Sequence, residues 1–507
     1  MTWLMAVWWV GFVTAVGLCV GSFLNVVIYR LPNELSVFEP KWSFCPQCHC
    51  TIRWYDNLPL VGYLRLGGRC RGCGTSISVR YPVVEGLTAL VALALFDALI
   101  MGGSGRAGLN AHADMNWRVL DDWPVFLAHF ILFSCLLAMS VIDLEHFWVD
   151  VRFTTLASLA GILLHGLWTP GESWSHPEPW SRPHVFTVVI CGSGLAGLML
   201  AWGWGVVRGH GIVGEESESP DSIAGETVIG ASGIGAIEGP ARVDSIEKEE
   251  GDAEVGDRTA EPRRGVDAAW TMGLAVLGYM GWMVFSGVGR GLVEPYLIRV
   301  GGVVFLFFVF VTVGGMAHRE SESEIVEAID FERHSARKNA IREFVYLMPA
   351  ILLGVGAFWC FYTHLDWLME MRDAMHVKVL GQWRPLLGVG TAVSGLVIAA
   401  GLGWLVRIGF TLVLGKEAFG TGDIHLMAAA GAVAGWQVVL IGFFLSAVLA
   451  LMGWVIALPV KRARAIPFGP WLSLAFLVVC VFYGPIMNSQ VVQQAAYVWN
   501  SVVNEVF

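Results

Sequence analysis

Apolar runs of about 20 residues, the length that crosses a hydrocarbon core, recur from Trp3 to Tyr483 and are separated by short polar stretches. Within each run the apolar character is continuous and does not alternate, which predicts α-helices and excludes a β-barrel. Helices are expected at about 3–28, 82–101, 124–142, 151–169, 184–207, 269–289, 296–316, 343–363, 386–406, 423–435, 437–458 and 467–487, about twelve in all. The first run has no basic residue before Arg30 and continues apolar through Gly21 to Asn25, so it is expected to stay as an anchor and not to be cleaved as a signal.

Composition agrees with this pattern. Of 507 residues only 15% are charged and 55% are hydrophobic, against about 25% charged in soluble domains. The fold class is therefore an all-α polytopic membrane protein. Between Glu215 and Asp267 there are 15 acidic and 5 basic residues, so this stretch carries the whole net charge of -10 and leaves the rest of the chain balanced. No basic field remains to hold nucleic acid. Residues 208–268, rich in Gly, Glu, Ser and Asp, are expected to be an acidic disordered insertion.

Lys and Arg accumulate on the cytoplasmic side of a membrane protein. With the N-terminus outside, inside segments carry 23 of them and outside segments seven. The chain then divides into an anchor helix (1–28), a cytoplasmic loop domain (29–81) and membrane helices (82–207). The acidic insertion (208–268) follows, then further helices (269–406), a last membrane region (407–487) and a tail (488–507). Within 317–342, Ile325, Val326, Ile329 and Ile341 lie among charges, as in an amphipathic helix on the inner surface or a solvated extension of its neighbours.

Five of the ten cysteines lie in apolar helices, where a free thiol is ordinary packing. In the loop, Cys45 and Cys48 form one CxxC and Cys70 and Cys73 another. Each such turn points two sulfurs at one place, which suits a structural, tetrahedral zinc held by four thiolates. In a cytoplasmic loop, disulfides are the weaker alternative. His49 and Cys50, beside the first pair, are alternative ligands, though both are rather expected to be surface residues.

Two carboxylates stand at helix ends, Asp143 in Val141-Ile142-Asp143-Leu144-Glu145 and Asp423 in Gly420-Thr421-Gly422-Asp423. A charged side chain at apolar depth costs about 3 kcal/mol or more, so such residues tend to be functional. The orientation count puts both at the same face. Two facing carboxylates do not readily both ionise, which leaves one base and one acid around a shared water, the machinery of aspartyl peptide hydrolysis. Gly420 and Gly422 beside Asp423 leave room for another helix or an extended substrate.

Several segments carry a resemblance in content and order. These are Gly21-Ser22-Phe23-Leu24-Asn25, Tyr29-Arg30-Leu31-Pro32, the paired CxxC, Arg80-Tyr81-Pro82 with Glu85, Ile142-Asp143-Leu144-Glu145 and Gly420-Thr421-Gly422-Asp423. Together they resemble the type IV prepilin peptidases, bacterial inner-membrane aspartyl proteases of the GxGD type. The resemblance covers roughly 11–100, 130–170 and 410–485, and Ile466-Pro467-Phe468-Gly469-Pro470 is similar to the family's last helix entry. It implies cleavage of the leader peptide of type IV prepilins or type II secretion pseudopilins at the cytoplasmic face. It also implies N-methylation of the new terminus with S-adenosylmethionine as the methyl donor. The catalytic pair falls on Asp143 and Asp423, and Asp150 matches a second acidic position with a supporting role.

The chain departs from the family at Val149, where Pro is common, at His425, where Lys is common, and in carrying about four more helices than the usual eight. The rival functions are a proton-coupled transporter, which would distribute polar residues through several helix interiors, and a catalytically silent scaffold of secretion machinery. A GxGD protease acting on other membrane proteins is a third, disfavoured by the paired CxxC.

Overall fold

A computed structural model describes residues 3–39, 41–101, 115–146, 149–168, 260–288, 295–316, 336–364, 384–417, 419–457 and 467–494, with a few isolated positions elsewhere. Among them every regular element is helical, and the only β pairing is two isolated bridges in the loop domain. The helices are α1 (Trp3–Arg30), α2 (Val61–Leu66), α3 (Arg80–Phe96), α4 (Met115–His146), α5 (Val151–Leu167), α6 (Ala260–Val288) and α7 (Pro295–Met316). They continue with α8 (Ala336–Thr363), α9 (Arg384–Leu414), α10 (Thr421–Ala434), α11 (Trp436–Ala457), α12 (Gly469–Val481) and α13 (Tyr483–Met487).

Among the described residues six helices are long and apolar enough to cross a membrane, within α1, α3, α4, α8, α9 and α11. The chain is thus a helical membrane protein, with six such spans where the hydropathy pattern anticipated twelve. Part of the difference is length, since α10 and α12 reach only 14 and 13 residues and α5 has 17; α6, at 29 residues, is long but is not among the six. The stretch 184–207 lies almost wholly outside the described residues, as do 208–259 and 317–335. One anticipated boundary moves: residues 260–268, expected to end the disordered insertion, form the first turns of α6. Residues 336–342 open α8, as in the reading of 317–342 as an extension of its neighbours, with Ala336 and Ala340 buried.

The centre of the bundle is α3, buried almost throughout, packed between α1, α4 and α6. Small residues allow the closest approach: a Cβ on Gly17 would stand 2.7 Å from the Ala89 backbone and one on Gly21 2.7 Å from the Glu85 backbone. Asn25 locks the same pair by donating to the Tyr81 carbonyl at 3.0 Å. At the other end of α3, Asp97 meets Arg299 of α7 at 2.7 Å with both side chains buried. Charges at that depth persist because they are paired, and the pair fastens α7 to the central helix.

Candidate active site and four-cysteine loop

The loop domain is built on a unit used twice. Cys45 N–H bonds to the Cys50 carbonyl (3.0 Å) and His49 N–H to the Cys45 carbonyl (2.8 Å); Cys70 bonds to Thr75 (2.8 Å) and Gly74 to Cys70 (2.9 Å) in the same way. The bridges Phe44 to Thr51 and Arg69 to Ser76 close the two turns identically. His49 (φ 55°) and Gly74 (φ 72°) hold the same left-handed position, so His49 is part of the turn and stacks on Phe44. The four sulfurs all lie within 4.8 Å of one another, with Cys45 to Cys73 and Cys48 to Cys70 each 3.9 Å apart. A tetrahedron with metal–sulfur bonds of about 2.3 Å places its sulfurs about 3.8 Å apart, so the cluster fits a metal ion such as zinc.

The electrostatics point the same way. Hydrogen bonds from the Thr75 hydroxyl and amide bring the Cys73 thiol down to about 6, and the amides of Cys73 and Gly72 lower Cys70. The Cys50 amide favours the Cys48 thiolate too, but burial and the neighbouring sulfurs outweigh it and push Cys48 up to about 12. A fourth thiolate in this cluster needs a cation.

The loop is braced within itself and fixed to the bundle at two points. Arg71 grips both carboxylate oxygens of Asp56, at 2.6 and 2.7 Å. Glu85 of α3 accepts the Leu60 N–H at 2.8 Å. Tyr63 donates to the Ile77 carbonyl at 2.9 Å, and Gly265 of α6 sits directly against its ring, where a Cβ would collide with the hydroxyl.

The two carboxylates meet at the end of the bundle where α4 finishes and α10 and α12 begin. A Cβ placed on Gly469 would lie 2.9 Å from Asp143 Oδ2 and 3.6 Å from Asp423 Oδ1. Laid end to end these distances put the two oxygens no more than about 6.5 Å apart. Asp143 is buried and Asp423 partly so. Asp423 is the third residue of α10 and reaches back to the amide of Gly420, the residue that caps the helix. Asp143 takes the amide of Gly469, the first residue of α12. Each carboxylate therefore faces the free N–H groups and positive dipole end of a helix.

Gly422 is required by close packing, because a Cβ there would stand 2.7 Å from Cβ of Val149. Val149 thus seats the GxGD turn. Asp150 caps α5, accepting the Arg152 amide at 2.8 Å and pairing with the Arg152 side chain at 2.6 Å. Its bonds run along its own helix start, so it holds the segment that carries Val149. Arg80 pairs with Glu145 at 2.7 Å, two residues beyond Asp143. His425 is exposed. The pattern of residues did not single out Gly469 as part of the site, although the Pro-Phe-Gly-Pro helix entry signals it, nor Arg407, whose charge inside an apolar helix is the available clue.

Fold and site together define a helical membrane protein with paired carboxylates at one end of its bundle and a four-cysteine loop docked there. The profile of the Bacterial Peptidase A24 N-terminal domain matches residues 15–99. The chain is 42% identical over 154 residues to the prepilin leader peptidase/N-methyltransferase of Myxococcus xanthus, covering 30% of this chain and 39% of that one. It is 37% identical over 212 residues to the type 4 prepilin-like proteins leader peptide-processing enzyme of Escherichia coli, covering 38% and 67%. To the prepilin leader peptidase/N-methyltransferase of Pseudomonas aeruginosa it is 34% identical over 224 residues, covering 37% and 70%. The chain belongs to the prepilin leader peptidase/N-methyltransferase family. The matched part spans between 39% and 70% of the length of these curated relatives. No solved structure matches it.

Proposed function

We propose that the protein is a membrane aspartyl endopeptidase that removes the leader peptide of type IV prepilins or type II secretion pseudopilins. The observation that carries this reading is the meeting of Asp143 and Asp423 around Gly469. One carboxylate takes a proton from a water held between the pair, and the water oxygen attacks the scissile carbonyl. The other carboxylate gives its proton to the nitrogen as the C–N bond breaks, which restores a singly protonated pair. Gly420 and Gly469 leave the approach open for an extended backbone, Gly422 lets Val149 seat the turn, and Asp150 supports the site through Val149.

The site faces the cytoplasm of a bacterial inner membrane in this reading, following the distribution of Lys and Arg. The shorter helices α5, α10 and α12 cross with the six long ones, approaching the twelve of the hydropathy pattern. The domain division runs as the sequence lays it out, except that the acidic insertion yields to α6 at Ala260. Cys45, Cys48, Cys70 and Cys73 hold one zinc ion, which supplies a fixed fold for the loop and takes no part in hydrolysis.

The relatives' names couple cleavage to N-methylation, and S-adenosylmethionine is the methyl donor in this reading. The cavity of about 370 Å³ between α3, α6, α7 and α12 does not fit that donor. It is lined by groups such as Leu90, Ala275, Phe305 and Leu477, and its one cation, Arg299, is matched by Asp97.

The deciding experiment incubates the purified, vesicle-reconstituted protein with a prepilin-like peptide bearing its leader. Cleavage at the leader junction is expected. A protein that is folded and metal-loaded yet inert toward it is the scaffold of the rival reading.

A further inference from the structure

The loop that delivers Asp423 is held by a charge inside the bundle. Arg407, near the end of α9, is buried and spends four N–H groups on three partners. Its Nη1 donates to the Phe419 carbonyl at 2.6 Å. Its Nε and Nη2 grip Glu343 of α8 at 2.9 to 3.1 Å, and Nη2 also meets Glu417 at 2.9 Å. Phe419 is fixed a second way, edge-on between Phe443 and Phe468 at 5.9 Å from each. The next residue is Gly420, the cap to whose amide Asp423 bonds. Phe468 in turn precedes Gly469, the amide donor to Asp143.

We infer that Arg407 is a positioning residue for the carboxylate pair, and that Glu343 makes α8, a helix from the stretch between the segments of family resemblance, part of the peptidase site. The guanidinium bonds the main chain before the GxGD motif and the carboxylates of Glu343 and Glu417 at once. A planar fork can do so where an ammonium cannot, because its donors leave in fixed, divergent directions. Misplacement of a reacting group by about 1 Å costs on the order of 100-fold in rate. Among its described residues, 415–417, 419 and 420 lie in neither helix nor strand to resist such a shift. A charge network that fixes the turn therefore acts on the chemical step more than on substrate binding. This inference rests on the peptidase reading for its kinetic consequence but not for its structural one.

The test compares Arg407→Gln, Arg407→Lys and Glu343→Gln with the unaltered full-length protein in vesicles, by peptide cleavage and by amide hydrogen exchange over 415–423. Arg407→Gln is expected to lower kcat by about ten- to a hundredfold with KM within about twofold, and to speed exchange in the turn. Arg407→Lys should recover part of kcat, and Glu343→Gln should fall between wild type and Arg407→Gln. An Arg407→Gln protein with kcat within about twofold of wild type, or with the loss confined to KM, overturns the inference. If Arg407→Gln does not insert, the other two variants decide by the same measures, and unchanged kcat and exchange in both overturns it. If the unaltered protein itself does not cleave, the peptidase reading fails, and exchange alone then decides whether Arg407 holds the turn.

Discussion

Asp143 and Asp423 approach one another across Gly469, Asp143 bonded to the Gly469 amide that opens α12 and Asp423 to the Gly420 amide that caps its own helix, α10. The arrangement gives two acceptors of like charge a common space and supplies each with a fixed donor. Neither donor is a side chain, so no substitution elsewhere in the site replaces it.

Asp143→Asn and Asp423→Asn are each expected to abolish leader cleavage while membrane insertion stays intact. An amide keeps the shape of the carboxylate but cannot act as a base. Processing of the peptide by either variant near the wild-type rate would remove these residues from the mechanism.

Gly469→Ala tests the geometry independently of the charges. The added methyl must stand 2.9 Å from Asp143 Oδ2, closer than carbon and oxygen tolerate, so one carboxylate has to turn away. Cleavage is expected to drop by about ten- to a hundredfold with little change in stability. The thermal midpoint and the turnover number, measured on one preparation, separate a lost site from a lost fold.

The loop domain is expected to hold one zinc per chain under reducing conditions. Removing the metal with a chelator, or replacing Cys45 with Ser, should expose the loop to protease while the bundle stays intact. Metal analysis by mass spectrometry decides the stoichiometry. A loop that keeps its protease resistance with no metal bound would speak against the site.

Acid should weaken the grip of the loop in a defined direction. Bonding to Arg71 holds the Asp56 carboxyl below the usual carboxylate range. A depressed folded-state value means that the pair stabilises fully above the unfolded value of about 3.9, and that this contribution is lost as pH falls through the folded value. Asp56→Asn should therefore loosen the loop at neutral pH, and the gap to wild type should close in acid. Amide exchange across 53–72 at several pH values tests it; a gap independent of pH would assign the effect to something other than the Asp56 charge.

Deleting residues 216–259 is expected to leave cleavage within about tenfold, at most ~1.4 kcal/mol in barrier. The deletion stops before Ala260 because α6 starts there and Gly265 packs on Tyr63 of the loop domain. A deletion protein that inserts normally but no longer cleaves would give the acidic stretch a part in substrate recruitment or in shaping the site.

The sequence by itself determined the class, the paired CxxC and the two aspartates. Continuous apolar runs have one stable outcome in lipid, and chemistry that needs particular residue types leaves them in the chain as short patterns. It also placed Gly422 where close approach was required, which the contact with Val149 explains. Helix ends were less legible. Apolar content does not mark where a helix stops, so α4 runs from Met115 through Pro124, and α6 begins inside a stretch whose composition reads as disordered. The twofold turn of the loop domain was hidden because His49 and Gly74 share a backbone conformation and not a side chain. What only the tertiary structure decided are the contacts between distant segments: Gly469 between the aspartates, Gly265 on Tyr63, and Arg407 joining Glu343 to the Phe419 carbonyl. These depend on which faces of the helices pack together, and a bundle that is apolar on nearly every face carries no periodic signal of its neighbours.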